Sequence, residues 1–178
     1  MFFKRLAVAS TGVISIAVVL FSVINPQSSL ISALPFISKG PINSISGLPG
    51  NDGPVLVVKI DDTRLAHPQI GLEDADIVYI EQVEGGLTRL AAIFSSKIPT
   101  HIGPVRSARI SDIELLAQYG RVAFAYSGAQ SKLRPEIASA DLEDLGAQRQ
   151  SSTIYTTDPT RIQPYAMVLR ADLLMKLA

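Results

Sequence analysis

Apolar residues in this chain fall into short runs, and their spacing changes from strand-like to helix-like along the sequence. A nearly continuous β-rich run from Val55 to Ile60 predicts a strand buried on both faces. Two further apolar runs, 77–83 and 87–95, lie on either side of Gly85-Gly86. This order predicts a β-hairpin in which the two glycines form a two-residue turn.

A two-residue turn also sets the register of the hairpin. It places Gln82 opposite Arg89 and Val78 opposite Ile93, and it leaves both faces of the strand pair largely apolar. A strand pair with two apolar faces belongs inside a sheet, so we expect structure to cover the hairpin on both sides.

The rest of the chain combines further helices and strands into one domain. Helices are predicted over 110–119, 131–139 and 171–178, and strands over 121–126 and 152–156. The first of these helices begins near Ser111, with Ser111 and Glu114 as a capping box, or already near Val105. The predicted fold class is α/β: a mixed β-sheet with a β-hairpin and flanking helices, spanning residues 54–178.

The amino terminus carries a candidate membrane segment. Lys4 and Arg5 precede an uncharged stretch from Leu6 to Ile24, which as a helix would span about 28 Å, close to the thickness of the bilayer core. Residues 1–24 are therefore predicted to be a signal anchor with its amino end in the cytoplasm and the following chain outside. The alternatives are a signal peptide cleaved near Ala33 and a buried helix of a soluble protein.

Residues 25–53 are rich in proline, glycine and serine. Proline lacks a backbone donor and glycine raises the entropy of the unfolded chain, so neither a helix nor a central strand is expected here. We interpret the segment as a tether that holds the domain away from the membrane. In the alternative interpretation, its apolar residues lie along the surface of the domain.

Composition removes several classes of function. The formal net charge is zero, so the chain lacks the basic excess of a general nucleic-acid binder, and no nucleic-acid partner is expected. The absence of cysteine excludes disulfides, thiolate zinc sites and cysteine nucleophiles. No phosphate-binding glycine motif and no histidine pair at helical spacing is present, so neither a cofactor nor a metal is predicted.

Arg106 and Arg109 are the sharpest candidates for a binding site. If the chain is helical from Val105, these residues lie three apart on one face and project together. Guanidinium groups match the oxygens of carboxylates and phosphates, and the amino end of a helix favours negative charge. The pair therefore predicts an anion-binding pocket, unless both arginines are instead neutralised internally by acidic residues such as Asp61, Glu81 or Glu84.

Four acidic residues form a second candidate centre, namely Asp61, Asp62, Glu81 and Glu84. Asp61 and Asp62 end a buried strand, where α/β proteins often bind ligands. Two carboxylates with different pKa values would suit hydrolysis, and carboxylate oxygens also suit Ca²⁺ or Mg²⁺. Otherwise these acids are turn residues and partners for Arg89, Arg106 and Arg109.

Three segments carry a resemblance to a known family: DTRLAHPQIGLEDAD at 62–76, IVYIEQVEGGLTRLAAIF at 77–94 and IGPVRSAR at 102–109. They resemble the amino-terminal domain of the YerB-like family of bacterial lipoproteins, whose biochemical function is not established. The likeness continues more loosely to Leu174. Such proteins usually anchor through a lipidated cysteine and carry a second domain, and the resemblance implies that this second domain is missing here.

The sequence departs from the family at two further places. The resemblance implies histidine where this chain has Tyr126, and a Pro-His-Asn string where it has Pro164-Tyr165-Ala166, so any chemistry using those imidazoles would be absent. We therefore expect an extracytoplasmic domain that binds an anionic envelope ligand or a protein partner without catalysis. The alternatives are an envelope hydrolase using Asp61 or Glu81 together with the missing domain, and a structural scaffold for that domain.

Overall fold

The structure, a computed structural model, describes residues 40–178, and residues 42–178 form one compact unit. The predicted signal anchor from Leu6 to Ile24 and residues 25–39 of the predicted tether lie outside the described residues. Within residues 40–178, no helix combines the length and the apolar character needed to cross a bilayer.

The described part of the chain is an α/β fold built on two sheets. Its strands are β1 (Leu56–Asp61), β2 (Ile77–Gln82), β3 (Thr88–Phe94), β4 (His101–Ile102), β5 (Val122–Ala125), β6 (Leu142–Asp144), β7 (Tyr155–Thr157) and β8 (Met167–Arg170). Its α-helices are α1 (Ile110–Ala117), α2 (Arg134–Ser139) and α3 (Ala171–Leu174).

The larger sheet has the strand order β2-β3-β1-β5-β6 and is mixed. The central strand β1 runs antiparallel to β3 and parallel to β5, which is in turn parallel to β6. The smaller sheet is antiparallel and has the order β4-β8-β7. The prediction of a mixed sheet in an α/β fold is therefore confirmed.

Side-chain alternation along β1 divides the core into two layers. Leu56, Val58 and Ile60 pack against residues of the smaller sheet and α3, such as Leu169. Val57 points to the opposite face, where it packs with side chains from α1 and α2. All six residues of β1 are buried because both faces of the strand are covered, as its continuous apolar run predicts.

The hairpin β2–β3 differs from its prediction by one residue of register. The Val83 N–H donates to the Leu87 carbonyl at 2.8 Å, which closes a three-residue loop, 84–86, whose two glycines have positive φ angles of 72° and 71°. Glu81 therefore lies opposite Arg89, and the predicted pairing of Gln82 with Arg89 is wrong. A shift of one residue moves every side chain of one strand to the other face relative to its partner.

Only one of the two hairpin strands is covered on both faces. β2 forms an edge of the larger sheet, and two of its apolar side chains, Val78 and Ile80, are 39% and 70% exposed. β3 lies inside the sheet, and its residues from Leu90 to Phe94 are buried. The expectation of two covered faces is therefore correct for β3 and wrong for β2.

The chain before α1 is extended rather than helical. The Arg106 N–H donates to the Lys59 carbonyl at 2.8 Å, and the Arg106 carbonyl accepts from the Ser127 N–H at 2.9 Å. Residue 106 thus lies between the carboxyl ends of β1 and β5, and α1 begins only at Ile110. The Asp112 carboxylate caps the helix by accepting from the Arg109 N–H at 2.6 Å, so the expected helix from Val105 and the capping box at Ser111 are wrong.

Residues 42–53 pack onto the domain. Asn43 is fully buried, and its side-chain amide donates to the Asn51 carbonyl at 3.1 Å and to the Ser95 hydroxyl at 3.2 Å. Its side-chain oxygen accepts the backbone N–H groups of Ile45 and Ser46. The compact unit therefore begins at Ile42, earlier than the predicted boundary at Pro54.

Candidate functional site

Charged side chains converge on the face of the larger sheet that α1 covers. Lys59 and Asp61 alternate with apolar residues along β1, Glu81 lies on β2 and Arg89 on β3. The observed register pairs Asp61 and Glu81 with Arg89 across neighbouring strands, so all four side chains share this face. The one-residue shift of the hairpin is what brings Glu81 to this face.

Lys59 forms the buried centre of this region. It is fully buried, and its Nζ donates to Glu81 Oε1 and, at 2.6 Å, to Asp112 Oδ1. The Ser111 hydroxyl donates to the other carboxylate oxygen of Glu81 at 2.6 Å. We call Lys59, Glu81 and Asp112 the buried triad.

The two carboxylates of the triad have different proton affinities. Burial raises the pKa of Asp112 to about 6, although the positive charge of Lys59 acts in the opposite direction. Burial also raises the pKa of Glu81, but the hydrogen bonds from Lys59 and Ser111 outweigh burial, and the net pKa lies below its usual value. The triad therefore holds a carboxylate that ionises readily beside one that resists ionisation.

Sequence reasoning did not identify Lys59 or Asp112 as site residues. A signal was nevertheless present, because Lys59 interrupts the run from Val55 to Ile60, which is otherwise apolar and typical of a buried strand. A charged residue buried in a sheet needs a partner. The identity of that partner was not visible, since Asp112 lies more than fifty residues further along the chain.

Arg106 is neutralised internally. Its Nε lies 2.8 Å from Oδ2 of the buried Asp61, and its Nη1 donates to the Pro164 carbonyl at 3.2 Å. The guanidinium carbon lies 5.8 Å from the centre of the Tyr165 ring, within range of a cation–π contact. Arg106 thus connects the end of β1 to the segment before β8.

Arg109 forms an ion pair with the carboxylate of Glu84. Its Nε and Nη2 donate to the same oxygen of Glu84, at 2.9 and 2.7 Å, and its Nη1 donates to the Ala108 carbonyl at 2.9 Å. The hydrogen bond from Arg109 lowers the pKa of Glu84. The Glu84 side chain remains 60% exposed. The side chains of Arg109 and Arg106 are similarly buried, at 18% and 21% exposure, but Arg109 contacts an exposed carboxylate whereas Arg106 contacts the buried end of β1.

Arg89 lies between the other two arginines. Its Nη1 donates at 3.1 Å to the carbonyl of Ser107. Ser107 lies in the chain between Arg106 and Arg109. Burial lowers the pKa of Arg89, and the positive charges of Arg109 and Arg106 lower it further. We call Arg89, Arg106 and Arg109 the arginine cluster, and its two direct carboxylate partners are Asp61 and Glu84.

A cleft of about 580 Å³ opens beside the Arg109–Glu84 pair. We call it the Arg109 cleft; it is lined by Glu84, Ala108, Arg109, Ile110, Gln130, Lys132, Leu133 and Glu136. The Gln130 amide donates to the second oxygen of Glu84 at 3.3 Å. The cleft thus combines apolar side chains with a guanidinium, an ammonium, an amide and the two carboxylates of Glu84 and Glu136.

The structure brings together the six residues that the sequence nominated for binding, namely Asp61, Glu81, Glu84, Arg89, Arg106 and Arg109. It does not place Arg106 and Arg109 one helical turn apart, because α1 begins after both of them. Asp61 and Glu81, the proposed hydrolytic acids, are both held in ion pairs. In residues 40–178, no group of three or more histidine or acidic side chains is placed to hold a metal ion.

Comparisons with known proteins agree with the resemblance carried by residues 62–109. Residues 45–178 match the family described as "Protein of unknown function (DUF3048) N-terminal domain". The chain is 52% identical to "Putative lipoprotein YerB" of Bacillus subtilis (strain 168) over 56 residues, which are 32% of this chain and 17% of that protein.

A solved structure is also similar. The crystal structure of the YerB protein from Bacillus subtilis superposes with a TM-score of 0.70 at 27% sequence identity. The match covers 78% of this chain and 49% of the solved chain. The chain therefore spans about half the length of the solved relative.

Proposed function

The chain belongs to the DUF3048 family and contains its amino-terminal domain, and from this premise we propose that it is an extracytoplasmic, membrane-tethered domain that binds an anionic ligand of the cell envelope. An acidic surface of a protein partner would be bound by the same groups. The binding residues in this proposal are those of the arginine cluster, with Arg109 in direct contact with the ligand.

The proposed location rests on a relative and on the amino-terminal sequence. The name of the Bacillus subtilis relative describes a lipoprotein, a class of protein that is anchored to a membrane through a lipid. This chain has no cysteine to carry such a lipid. The apolar stretch from Leu6 to Ile24 would therefore supply the anchor, with the amino end in the cytoplasm.

The observation that carries the binding proposal is the pairing of Arg109 with Glu84 at the mouth of the Arg109 cleft. Nε and Nη2 of Arg109 both donate to one oxygen of Glu84. This contact supports the proposal, because an oxygen of an anionic ligand would be bound by the same two donors. Glu84 begins the exposed three-residue loop of the hairpin, and added Cβ atoms at Gly85 and Gly86 would meet no atom within 4 Å. Glu84 therefore occupies the place of a ligand without being locked there by packing.

Displacement of Glu84 would leave a net positive charge at this site, since Glu136 is the one acidic residue that would remain in the lining of the Arg109 cleft. The three guanidinium groups of the arginine cluster would then face Asp61 as their remaining direct carboxylate partner. Arg89 already experiences the repulsion of the other two arginines. An incoming anion would relieve this repulsion, and positive groups at a cleft raise the local concentration of anions.

Binding can be tested with glycerol phosphate oligomers as the probe and neutral dextran as the control ligand. Calorimetric titration of the purified chain should show binding of the phosphate oligomer and no binding of dextran. Arg109→Gln should weaken this binding about tenfold, since it removes a charge-assisted contact worth about 1.4 kcal/mol. Arg106 is a poorer target, because its loss would leave the buried Asp61 without its cation.

Glu84→Gln provides the opposite test. If Glu84 competes with the ligand for Arg109, this substitution should strengthen binding, and the nearly isosteric side chain should leave the loop in place. The surface variant Arg121→Gln is the matched control, because Arg121 pairs with Glu143 away from the cleft. Equal binding by the Arg109, Glu84 and Arg121 variants would refute the proposal.

A hydrolase using Asp61 or Glu81 is the weaker second candidate. Asp61 is 1% exposed and paired with Arg106, and Glu81 is held by Lys59 and Ser111. Neither carboxylate therefore has a free oxygen directed at a substrate. Product release that Glu81→Gln abolishes would nevertheless favour hydrolysis over simple binding.

A further inference from the structure

A second polar cavity lies at the carboxyl ends of the parallel strands β5 and β6. Its volume is about 260 Å³, and it shares no lining residue with the Arg109 cleft. The residues that line it are Tyr126, Arg134, Asp144, Gly146, Gln148 and Arg149. Tyr126 directly follows β5 and Asp144 ends β6, and α/β proteins preferentially bind ligands at this edge of a parallel sheet.

Asp144 contacts three other residues that line this cavity. Its Oδ1 accepts from the Tyr126 hydroxyl at 2.7 Å and from the Gly146 N–H at 3.2 Å, and its Oδ2 lies 2.7 Å from Arg149 Nε. The Asp144 side chain is only 14% exposed. Its carboxylate is therefore fully engaged by protein groups, and its charge offsets that of Arg149.

Gly146 keeps the tyrosine ring in place. A Cβ atom at this position would lie 2.6 Å from the nearest ring carbon of Tyr126, so the ring packs directly on the glycine backbone. This contact and the hydrogen bond to Asp144 fix the position of the hydroxyl. The Tyr126 hydroxyl and the Asp144 carboxylate are thus held in place before any ligand arrives.

Arg134 supplies a positive charge without a carboxylate partner. No ion pair or side-chain hydrogen bond joins it to another residue in the described part of the chain, and its side chain is exposed at the start of α2. Burial and the bond to Asp144 raise the pKa of Tyr126, whereas the positive charges of Arg149 and Arg134 lower it. Both arginines therefore lie close enough to act on the same hydroxyl.

We propose that this cavity, named here the Tyr126 cavity, is a second anion-binding site that takes a singly charged oxyanion, with Arg134 as its primary cation. The two arginines and Asp144 together carry one net positive charge, which one negative charge balances. The guanidinium of Arg134 and the side-chain amide of Gln148 supply donors at the rim. The ligand group is therefore a phosphodiester or a carboxylate.

The experiment is a titration of the purified full chain, followed by ¹⁵N–¹H NMR spectra. The probes are dimethyl phosphate for a phosphodiester, acetate for a carboxylate and trimethyl phosphate as the uncharged control. Binding at the Tyr126 cavity should move the amide signals of Gly146 and Gln148. The amide of Ile110 reports separately on the Arg109 cleft, so either site can fail without the other.

Arg134→Gln should weaken the binding of the better anionic probe about tenfold. Arg64→Gln is the matched control, because Arg64 is also exposed but does not line the cavity, and it should bind as the wild type does. Shifts of equal size with the uncharged ester would overturn the proposal. So would unchanged affinity in the Arg134 variant, or the same loss in the Arg64 variant.

Discussion

Substitution of Lys59 with methionine tests the energetics of the buried triad directly. Methionine has nearly the length of lysine but removes the positive charge that Glu81 and Asp112 share. Loss of one partner from a buried ion pair typically destabilises a protein by about 3–5 kcal/mol, because the remaining charge stays buried. This is a large part of the about 5–15 kcal/mol that stabilises a typical domain, so a large fall in stability is expected.

The loss should depend on pH in a direction that the triad determines. The pKa of Asp112 is raised from 3.8 to about 6 in the folded protein, a difference of about 3 kcal/mol between its two protonation states. The folded state therefore holds a proton that the unfolded state releases, and this group's contribution to stability falls as pH rises from about 4 to 6. The lowered pKa of Glu81 acts oppositely, since its stabilisation is lost on acidification.

In the Lys59→Met variant, both carboxylates lose the cation that favours their ionised forms. Their pKa values should rise above those of the wild type, and the fall of stability with increasing pH should extend through neutrality. Its slope would approach about 1.4 kcal/mol per pH unit for each carboxyl group that takes up a proton on folding. The variant should therefore be less impaired at pH 5 than at pH 8.

Urea denaturation followed by circular dichroism at these two pH values measures the effect. Lys97→Met is the matched control, because Lys97 pairs with Asp74 at the surface and its loss should change stability by at most about 1 kcal/mol. The triple variant Lys59→Met, Glu81→Gln, Asp112→Asn should regain much of the loss and its pH dependence. A deficit no larger than that of Lys97→Met, or one equal at both pH values, would refute this reasoning.

Two further predictions each compare the stability of two variants. The measurement in both is the shift in the midpoint of thermal or urea unfolding. Ile60→Ala should lower the free energy of unfolding by about 2–5 kcal/mol, because Ile60 is fully buried. Ile80→Ala should change it by less than about 1 kcal/mol, because Ile80 is exposed on β2. Equal losses in the two variants would mean that β2 is covered. Gly71→Ala should be more destabilising than Gly85→Ala by about 1–3 kcal/mol. Both glycines have φ near +70°, but only at Gly71 would the new Cβ collide with the His101 carbonyl oxygen. Equal effects of the two glycine substitutions would contradict that close contact.

The arginine cluster shows that residues predicted to lie together can do so in a geometry other than the predicted one. The predicted pocket assumed that Arg106 and Arg109 share one face of a helix, but the Asp112 cap starts α1 only after Arg109. Arg106 instead occupies an extended position between the ends of β1 and β5. Local spacing could not indicate this, because the hydrogen bonds that hold the segment extended come from strands distant in the sequence.

The hairpin loop shows the same limitation at a smaller scale. The two glycines correctly indicated a turn between two strands, yet a two-residue and a three-residue loop are both compatible with the string Glu84-Gly85-Gly86. The choice between them moves Glu81 from one face to the other relative to β3. It was therefore decisive for the buried triad, although it concerns only one residue of the loop.

Hydrophobic periodicity, together with the turn glycines Gly85 and Gly86, was sufficient to indicate β1, the existence of the hairpin and an α/β fold with a mixed sheet. These features depend on short-range patterns, since apolar alternation and helical spacing can be read within one segment. Only the tertiary structure decided which polar groups meet: Lys59 with Asp112, Asp61 with Arg106, and the neutral Tyr126 hydroxyl with Asp144. Such pairings depend on register and on the packing of distant segments, because a buried charge is stabilised by whichever partner the folded chain brings within hydrogen-bond distance.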